Sequence, residues 1–178
     1  WQFKGKEKTE GNVLFLDLDE GIGAVQLING NINRSAAGEI GHTCVEAEGE
    51  KCVCGNFGCL ETISSYDKIL NLAKEHGFEN VSEAEKSADA TLRNNVFAKC
   101  IKYLGIGISN LVTLFNPDQI CINYGSFKNC PKVIDSAVGE MFGRTYEIFT
   151  KNLSIKYVDI TSDEVIKGVT LYMCDIIF

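Results

Sequence analysis

Gly38-Glu39-Ile40-Gly41-His42 and, after nine intervening residues, Cys52-Val53-Cys54-Gly55-Asn56-Phe57-Gly58-Cys59-Leu60-Glu61 form the stretch on which the reading of this chain turns. They lie in a segment, 35–61, that is rich in Gly and Cys and carries no hydrophobic period. Connections of this length are uncommon in compact domains unless they serve a function. The segment therefore predicts a loop held by something other than packing, and His42, Cys52, Cys54 and Cys59 supply the means. One imidazole and three thiolates suit tetrahedral zinc, a d¹⁰ ion that prefers sulfur and nitrogen. Four protein ligands close the shell, so such a zinc would be structural and would not activate water. The spacing leaves an alternative open: Cys52 and Cys54 stand closer than in the usual zinc knuckle, and Cys44 could replace His42 as fourth ligand. The set taken forward is His42, Cys52, Cys54 and Cys59, with Cys44 outside the shell.

Upstream, Val13-Leu14-Phe15-Leu16-Asp17-Leu18 and Gly23-Ala24-Val25-Gln26-Leu27-Ile28 read as strands, and Asn29-Gly30 supplies the positive φ angles of a tight hairpin into Asn31-Ile32-Asn33. Downstream, 66–76 places Ile69, Leu70, Leu72 and Ala73 on one helical side and stops at Gly77. Ser82-Glu83-Ala84-Glu85 has the form of a capping box. Phe97, Ile101, Leu104, Ile108, Leu111 and Leu114 recur three and four apart for most of a long helix over 90–115, which Asn116-Pro117 ends. A buried strand at 119–123, a helix at 131–149, a strand at 153–160 and a final helix at 162–178 complete the expectation. Three early strands followed by alternating helices and strands predict an α/β fold, a mixed sheet with flanking helices. The order β-β-β-α-β-α-β-α resembles a ribonuclease-H-like half of the actin and hexokinase architecture.

The 178 residues carry 17 Lys+Arg against 24 Asp+Glu, a formal charge of -7. That balance works against attraction to phosphate backbones and anionic membranes, so this segment is expected to contact neither nucleic acid nor membrane. No apolar run approaches the roughly 18 residues that a membrane helix requires. Trp1-Gln2-Phe3-Lys4 leads into charge rather than into a signal peptide, and a cytoplasmic protein is expected. Trp1 in place of an initiator Met suggests a piece of a longer protein. A domain of this size can bury roughly 70% of its unfolded surface, so it needs neither metal nor disulfides merely to own a core. Cys100, Cys121, Cys130 and Cys174 are dispersed among apolar residues and read as buried free thiols.

The wider string from Gly38 to Glu61 is similar to the signature of the ROK family, named for repressors, open reading frames and sugar kinases. Gly21-Ile22-Gly23 before a strand, Gly30 in the hairpin and Asn116-Pro117-Asp118 ahead of the strand at Ile120 extend the likeness. It spans about residues 11 to 178, strongly in 38 to 61 and diffusely after 120. The resemblance implies one C-terminal domain over 1–178, an actin/hexokinase-like ATPase half with a zinc-bound loop insertion at 35–61, preceded in the parent by an N-terminal domain. It also implies a sugar site beside the zinc, with Glu39, His42 and Glu61 contacting sugar hydroxyls. The chemistry agrees, since carboxylates accept hydrogen bonds from hydroxyls and a zinc-bound imidazole keeps its second nitrogen for a polar partner. The implied ligand is a sugar or sugar phosphate, and the implied assembly a homodimer.

The chain departs from the kinase pattern at two loops. Asp19-Glu20-Gly21-Ile22-Gly23 stands where a kinase of the family would usually show Gly-Thr-Gly-Ile-Gly, so two carboxylates would face phosphate oxygens. Asn123-Tyr124-Gly125-Ser126 replaces a glycine-rich turn, and its tyrosine would obstruct close backbone approach. The family's catalytic aspartate would precede Trp1, so no catalytic residue is expected here. Asp19, Glu20, Gly21 and Gly23 read as a degenerate nucleotide loop. The resemblance then points to the effector-sensing and self-association domain of a ROK transcriptional regulator, which would read DNA through the preceding domain. The alternative is the C-terminal half of an ATP-dependent, glucokinase-like ROK sugar kinase.

Overall fold

Alternation along the first strand sets the two faces of the sheet in the computed structural model, which describes residues 10–33 and 38–160. In β1 (Asn12–Leu18), Leu14, Leu16 and Leu18 enter the main core, whereas Val13 packs with Leu27 and Cys121 in a small cluster of its own. β2 (Ile22–Ile28) pairs antiparallel with β1 from Leu18↔Ile22 to Asn12↔Ile28. Asn29 (φ 50°) and Gly30 (φ 76°) make the expected two-residue turn into β3 (Asn31–Ile32), which stops before Asn33. β4 (Gln119–Asn123) runs parallel to β1, and β5 (Ser154–Val158) parallel to β4. The order is β3-β2-β1-β4-β5, the mixed sheet expected from the sequence.

The helices are α1 (Glu61–Ser64), α2 (Tyr66–Glu75), α3 (Val81–Lys86), α4 (Ala90–Phe115), α5 (Pro131–Arg144) and α6 (Glu147–Thr150). Asp89 caps α4 by accepting from the amides of Thr91 (2.8 Å) and Leu92 (3.1 Å). At its far end Asn116 takes a left-handed conformation (φ 44°), and that end is tied to the sheet. Asn12 donates its side-chain amide to the Phe115 carbonyl (2.5 Å) and its backbone amide to Asp118 Oδ2 (2.8 Å). Asn116-Pro117-Asp118 thereby delivers β4 beside β1 in register. By length and composition α4 could cross a membrane, although Lys102 and Asn110 interrupt its apolar run. Here it is a core helix: Phe97, Leu104, Ile108, Leu111 and Val112 are buried, as is 56% of its most apolar window.

Three local expectations need correction. The helix predicted to reach 149 breaks at Thr145, whose buried hydroxyl bonds the Met141 carbonyl (2.7 Å) and the Ser109 hydroxyl (2.9 Å), and α6 starts anew. The cap lies earlier: Asn80 Oδ1 accepts from the Glu83 amide (2.9 Å), and the Glu83 carboxylate accepts from the amide of Glu79, one residue before the cap (2.7 Å). Ser82 instead donates to the Asn129 carbonyl, and buried Glu85 accepts from the Val133 amide in the first turn of α5. The strand predicted over 153–160 is confined to β5. Cys100, Cys121 and Cys130 are buried free thiols, with burial pushing Cys100 and Cys130 up to about 12. Cys174 and the helix expected at 162–178 lie outside the described residues.

α4 and α5 meet closely at Gly105, where a Cβ would stand 2.5 Å from Glu140 Cβ and 3.0 Å from the Ala137 carbonyl oxygen. Gly139, on the exposed side of α5, has open space at the same point. The same substitution should therefore have opposite signs. Gly105→Ala is expected to destabilise by about 1–3 kcal/mol through overpacking. Gly139→Ala is expected to stabilise by about 0.5–1 kcal/mol through helix propensity and a less flexible unfolded chain. Urea unfolding measures both, and midpoints moving the same way would refute this packing account.

Candidate metal centre and ligand wall

The loop enters the site at Gly38 (φ 77°), where a Cβ would stand 2.1 Å from the Ala24 carbonyl oxygen. Only a glycine lets the chain lie that close to β2, and the Ala24 amide bonds the Gly38 carbonyl (2.7 Å). A short 3₁₀ turn, Ile40–His42, then presents His42. Beyond it the loop doubles back on itself through two isolated antiparallel bridges, Cys44 with Cys59 and Lys51 with Phe57. The tight turn between Cys52 and Asn56 (Cys52 N to Asn56 O, 2.8 Å) carries Cys52 and Cys54 over the bridged pair. Gly58 (φ 63°) closes the ribbon, and a Cβ there would stand 1.6 Å from the Glu46 carbonyl oxygen.

The result is a group of four. The donor atoms of His42, Cys52, Cys54 and Cys59 all lie within 4.8 Å of one another. Cys54 Sγ is 3.6 Å from Cys59 Sγ, and Cys52 Sγ is 3.4 Å from His42 Nδ1. A tetrahedron with metal–sulfur bonds of about 2.3 Å has edges of about 3.8 Å, close to these separations. Cys44 is exposed and outside the group. Desolvation, reinforced by the neighbouring Cys54 and Cys52, pushes the Cys59 thiol up to about 12, while the Asn56 backbone amide lowers Cys54. Left to itself the Cys59 thiol resists ionising. A divalent cation would reverse that preference, which makes this donor set fit for one.

The second nitrogen of His42 faces the other way, with Nε2 4.0 Å from Glu39 Oε2. Glu61, at the start of α1, lies against two glycines: its Oε2 is 3.2 Å from the position a Cβ would take on Gly41 or on Gly21. Glu39, His42 and Glu61 thus gather around the 3₁₀ turn, Glu39 largely exposed and His42 half-buried.

In the stretch read from the sequence as a degenerate nucleotide loop, Asp19 accepts from the Ser126 hydroxyl in a close contact and from the Ser126 amide (3.3 Å). Gly125 allows this, since a Cβ there would stand 2.8 Å from Asp19 Cγ. One strand register away, Asn123 donates to Asp17 Oδ1 (2.6 Å). Glu20 is exposed, Gly21 abuts Glu61, and Gly23 has open space around it.

Metal is not the loop's sole support, contrary to the sequence reading. Ile40, Cys52, Cys59 and Leu60 are buried, and Leu60 lies 2.6 Å from the position of a Cβ on Gly107 of α4. The residue that sequence reasoning missed is Glu46, which bonds Lys99 (2.8 Å) and Tyr103 (2.9 Å) on α4. Those two partners hold its carboxyl below the usual range, Lys99 contributing most. The sequence carries no local signal for it, because both partners lie on α4 more than fifty residues on.

Comparison with known proteins matches the ROK family over residues 1–165. The xylose repressor of Bacillus spizizenii is 30% identical over 150 residues, 80% of this chain and 38% of the repressor. The glucokinase of Halalkalibacterium halodurans is 34% identical over 148 residues, 71% of this chain and 45% of that enzyme. A crystal structure of a ROK family transcriptional regulator, homologous to Escherichia coli Mlc, superposes with a TM-score of 0.71 at 22% identity. It covers 86% of this chain and 43% of its own, and it shares the fold. The chain thus spans less than half the length of each of these three relatives.

Gly58→Ala should unpick the loop and spare the sheet. Cys52 and Cys59, both buried, are expected to react with a thiol reagent without denaturant, while the far-ultraviolet circular dichroism changes little. Thiol reactivity equal to that of the unmodified chain would contradict the role given to this close approach.

Proposed function

The chain belongs to the ROK family, and on that premise we propose that it is the sugar-sensing and self-association domain of a transcriptional regulator, with a structural zinc and no catalysis of its own. The observation that carries this reading is the clasp between Asp19 and Ser126. Sheets of this kind bind ligands beyond the carboxyl ends of their parallel strands. There, the turns after β1 and β4 hold each other through a carboxylate, with Glu20 and Tyr124 beside them. Phosphoryl transfer is almost entirely positioning and electrostatic stabilisation. Two carboxylates at this place oppose the phosphates of a nucleotide, which supports binding without turnover. The repressor relative supports the same reading.

His42, Cys52, Cys54 and Cys59 would hold the zinc, which when bound supplies structure by fixing the loop and the His42 ring. With Nδ1 turned to the thiols, Nε2 is left beside Glu39. Glu39, His42 and Glu61 would then form one wall of a site for a sugar or sugar phosphate, the carboxylates accepting from ring hydroxyls. In this reading residues 1–178 are a C-terminal domain in a cytoplasmic homodimer. DNA is read by a preceding domain and not by this acidic segment. The second reading, part of an ATP-dependent sugar kinase, is favoured by the glucokinase match.

One zinc per chain is expected in protein purified without chelator, and its removal should raise hydrogen exchange in 38–61 before the rest. A metal-free preparation with the loop still protected would remove zinc from the reading. A coupled assay of ADP release over a panel of hexoses should stay at background; sugar-dependent turnover in protein free of host kinase would favour the kinase instead. In the complete protein, Glu61→Gln should keep its zinc and lose on the order of 1.5–3 kcal/mol of sugar affinity by calorimetry. Undiminished affinity would move the sugar site elsewhere.

A further inference from the structure

Cys44 has no part in the reading above, yet it stands directly across from Cys59. The bonds that flank the pair run from the Val45 amide to the Gly58 carbonyl (2.8 Å) and from the Leu60 amide to the Thr43 carbonyl (3.0 Å). Neither cysteine bonds the other's backbone, so this is the close, non-hydrogen-bonded kind of antiparallel pair. Such partners put both side chains on one face with Cα atoms about 4.5 Å apart. Disulfides accept Cα separations of about 4.4–6.8 Å. The two differ in access: Cys44 is exposed, and Cys59 is fully buried with its sulfur in the four-residue group.

We propose that Cys44 and Cys59 form a reversible disulfide under peroxide, withdrawing Cys59 from the metal group and making the centre an oxidant-sensitive site. The metal part of this inference rests on the zinc reading above. Peroxide oxidises the Cys44 S–H to S–OH and leaves as water. The Cys59 sulfur then attacks the Cys44 sulfur: the S–S bond forms, the S–O bond breaks, and the oxygen departs with a proton as a second water. Two thiols and one peroxide become one disulfide and two waters. Cys54 is also exposed, but its sulfur lies within the group, 3.6 Å from Cys59, where a bound cation would occupy it. Among the described residues Cys44 is the exposed thiol outside the group, and its partner across the ribbon is itself a member. A dithiol reductant reverses the step and returns Cys59 to the group.

The test uses the full chain, with zinc content measured first, exposed to hydrogen peroxide in small molar excess. Mass-spectrometric mapping should find Cys44 joined to Cys59 as the main cross-link, with zinc passing to a chromogenic chelator at the same rate. Cys44→Ser should retain zinc and release it under peroxide several-fold more slowly, and dithiothreitol should restore metal uptake in the unmodified chain. A main cross-link between Cys54 and Cys59 or between Cys52 and Cys54, or equal zinc loss from Cys44→Ser, overturns the proposal. A chain that never held zinc overturns the metal reading alone. The cross-link map, which requires no variant, then decides the cysteine pair by itself.

Discussion

The close approach of the Glu46 carbonyl to Gly58 governs the geometry of the loop. Because no side chain fits there, the two arms of the ribbon can touch, and the Val45 and Glu46 amides both reach the Gly58 carbonyl. Several placements follow. Cys59 is set opposite Cys44, the turn bearing Cys52 and Cys54 folds over it, and Leu60 drops onto Gly107. The side chain of Glu46 leaves in the opposite direction, to Lys99 and Tyr103. One residue thus closes the loop with its backbone and anchors it to the core helix with its carboxylate. The four donors inherit their spacing from that backbone. Each net hydrogen bond here is worth about 1 kcal/mol, so the loop's support is distributed over many small contributions.

A second clasp works at the carboxyl ends of the strands. Asp17 with Asn123 and Asp19 with Ser126 join β1 and its following turn to β4 and its following turn. The same sheet end receives Tyr66, whose amide bonds the Asp19 carbonyl (3.0 Å) and whose ring meets Phe127 edge-on at 5.2 Å. α2, which follows the metal loop by way of α1, is therefore docked on the turn that Asp19 occupies. The proposed ligand wall and the turn that bears Asp19 are held in one frame, with Gly21 touching Glu61 between them.

What the sequence made legible is what depends on local pattern. The hairpin at Asn29-Gly30, the long helix stopped by Asn116-Pro117 and the four clustered donors all carry signals within a few residues, and the structure places each accordingly. What it concealed depends on distant partners. The bond between Asp19 and Ser126 is invisible in the sequence because the two lie more than a hundred residues apart. Glu46 draws no reading from the sequence because Lys99 and Tyr103 sit on a helix that meets the loop only after folding. Ser82 and Glu85 fit a capping pattern, yet each found a tertiary partner, and Asn80 took the cap.

His42 stands where the two proposed functions meet. Its ring is half-buried, with Nδ1 toward the thiols and Nε2 toward Glu39, and a rigid imidazole cannot reorient one nitrogen without moving the other. Metal held at Nδ1 would therefore fix the direction in which Nε2 offers its hydrogen bond. A sugar hydroxyl held at Nε2 would favour the same ring orientation and so the same metal geometry. Linkage makes such an effect reciprocal: any gain in sugar affinity from the metal is matched by an equal gain in metal affinity from the sugar. The loop would then act as more than a scaffold for a wall, because its folding, the proposed metal and the proposed ligand would share one side chain. Glu61 reaches the same wall from α1 without belonging to the metal group, so substitution there separates the ligand's contribution from the metal's.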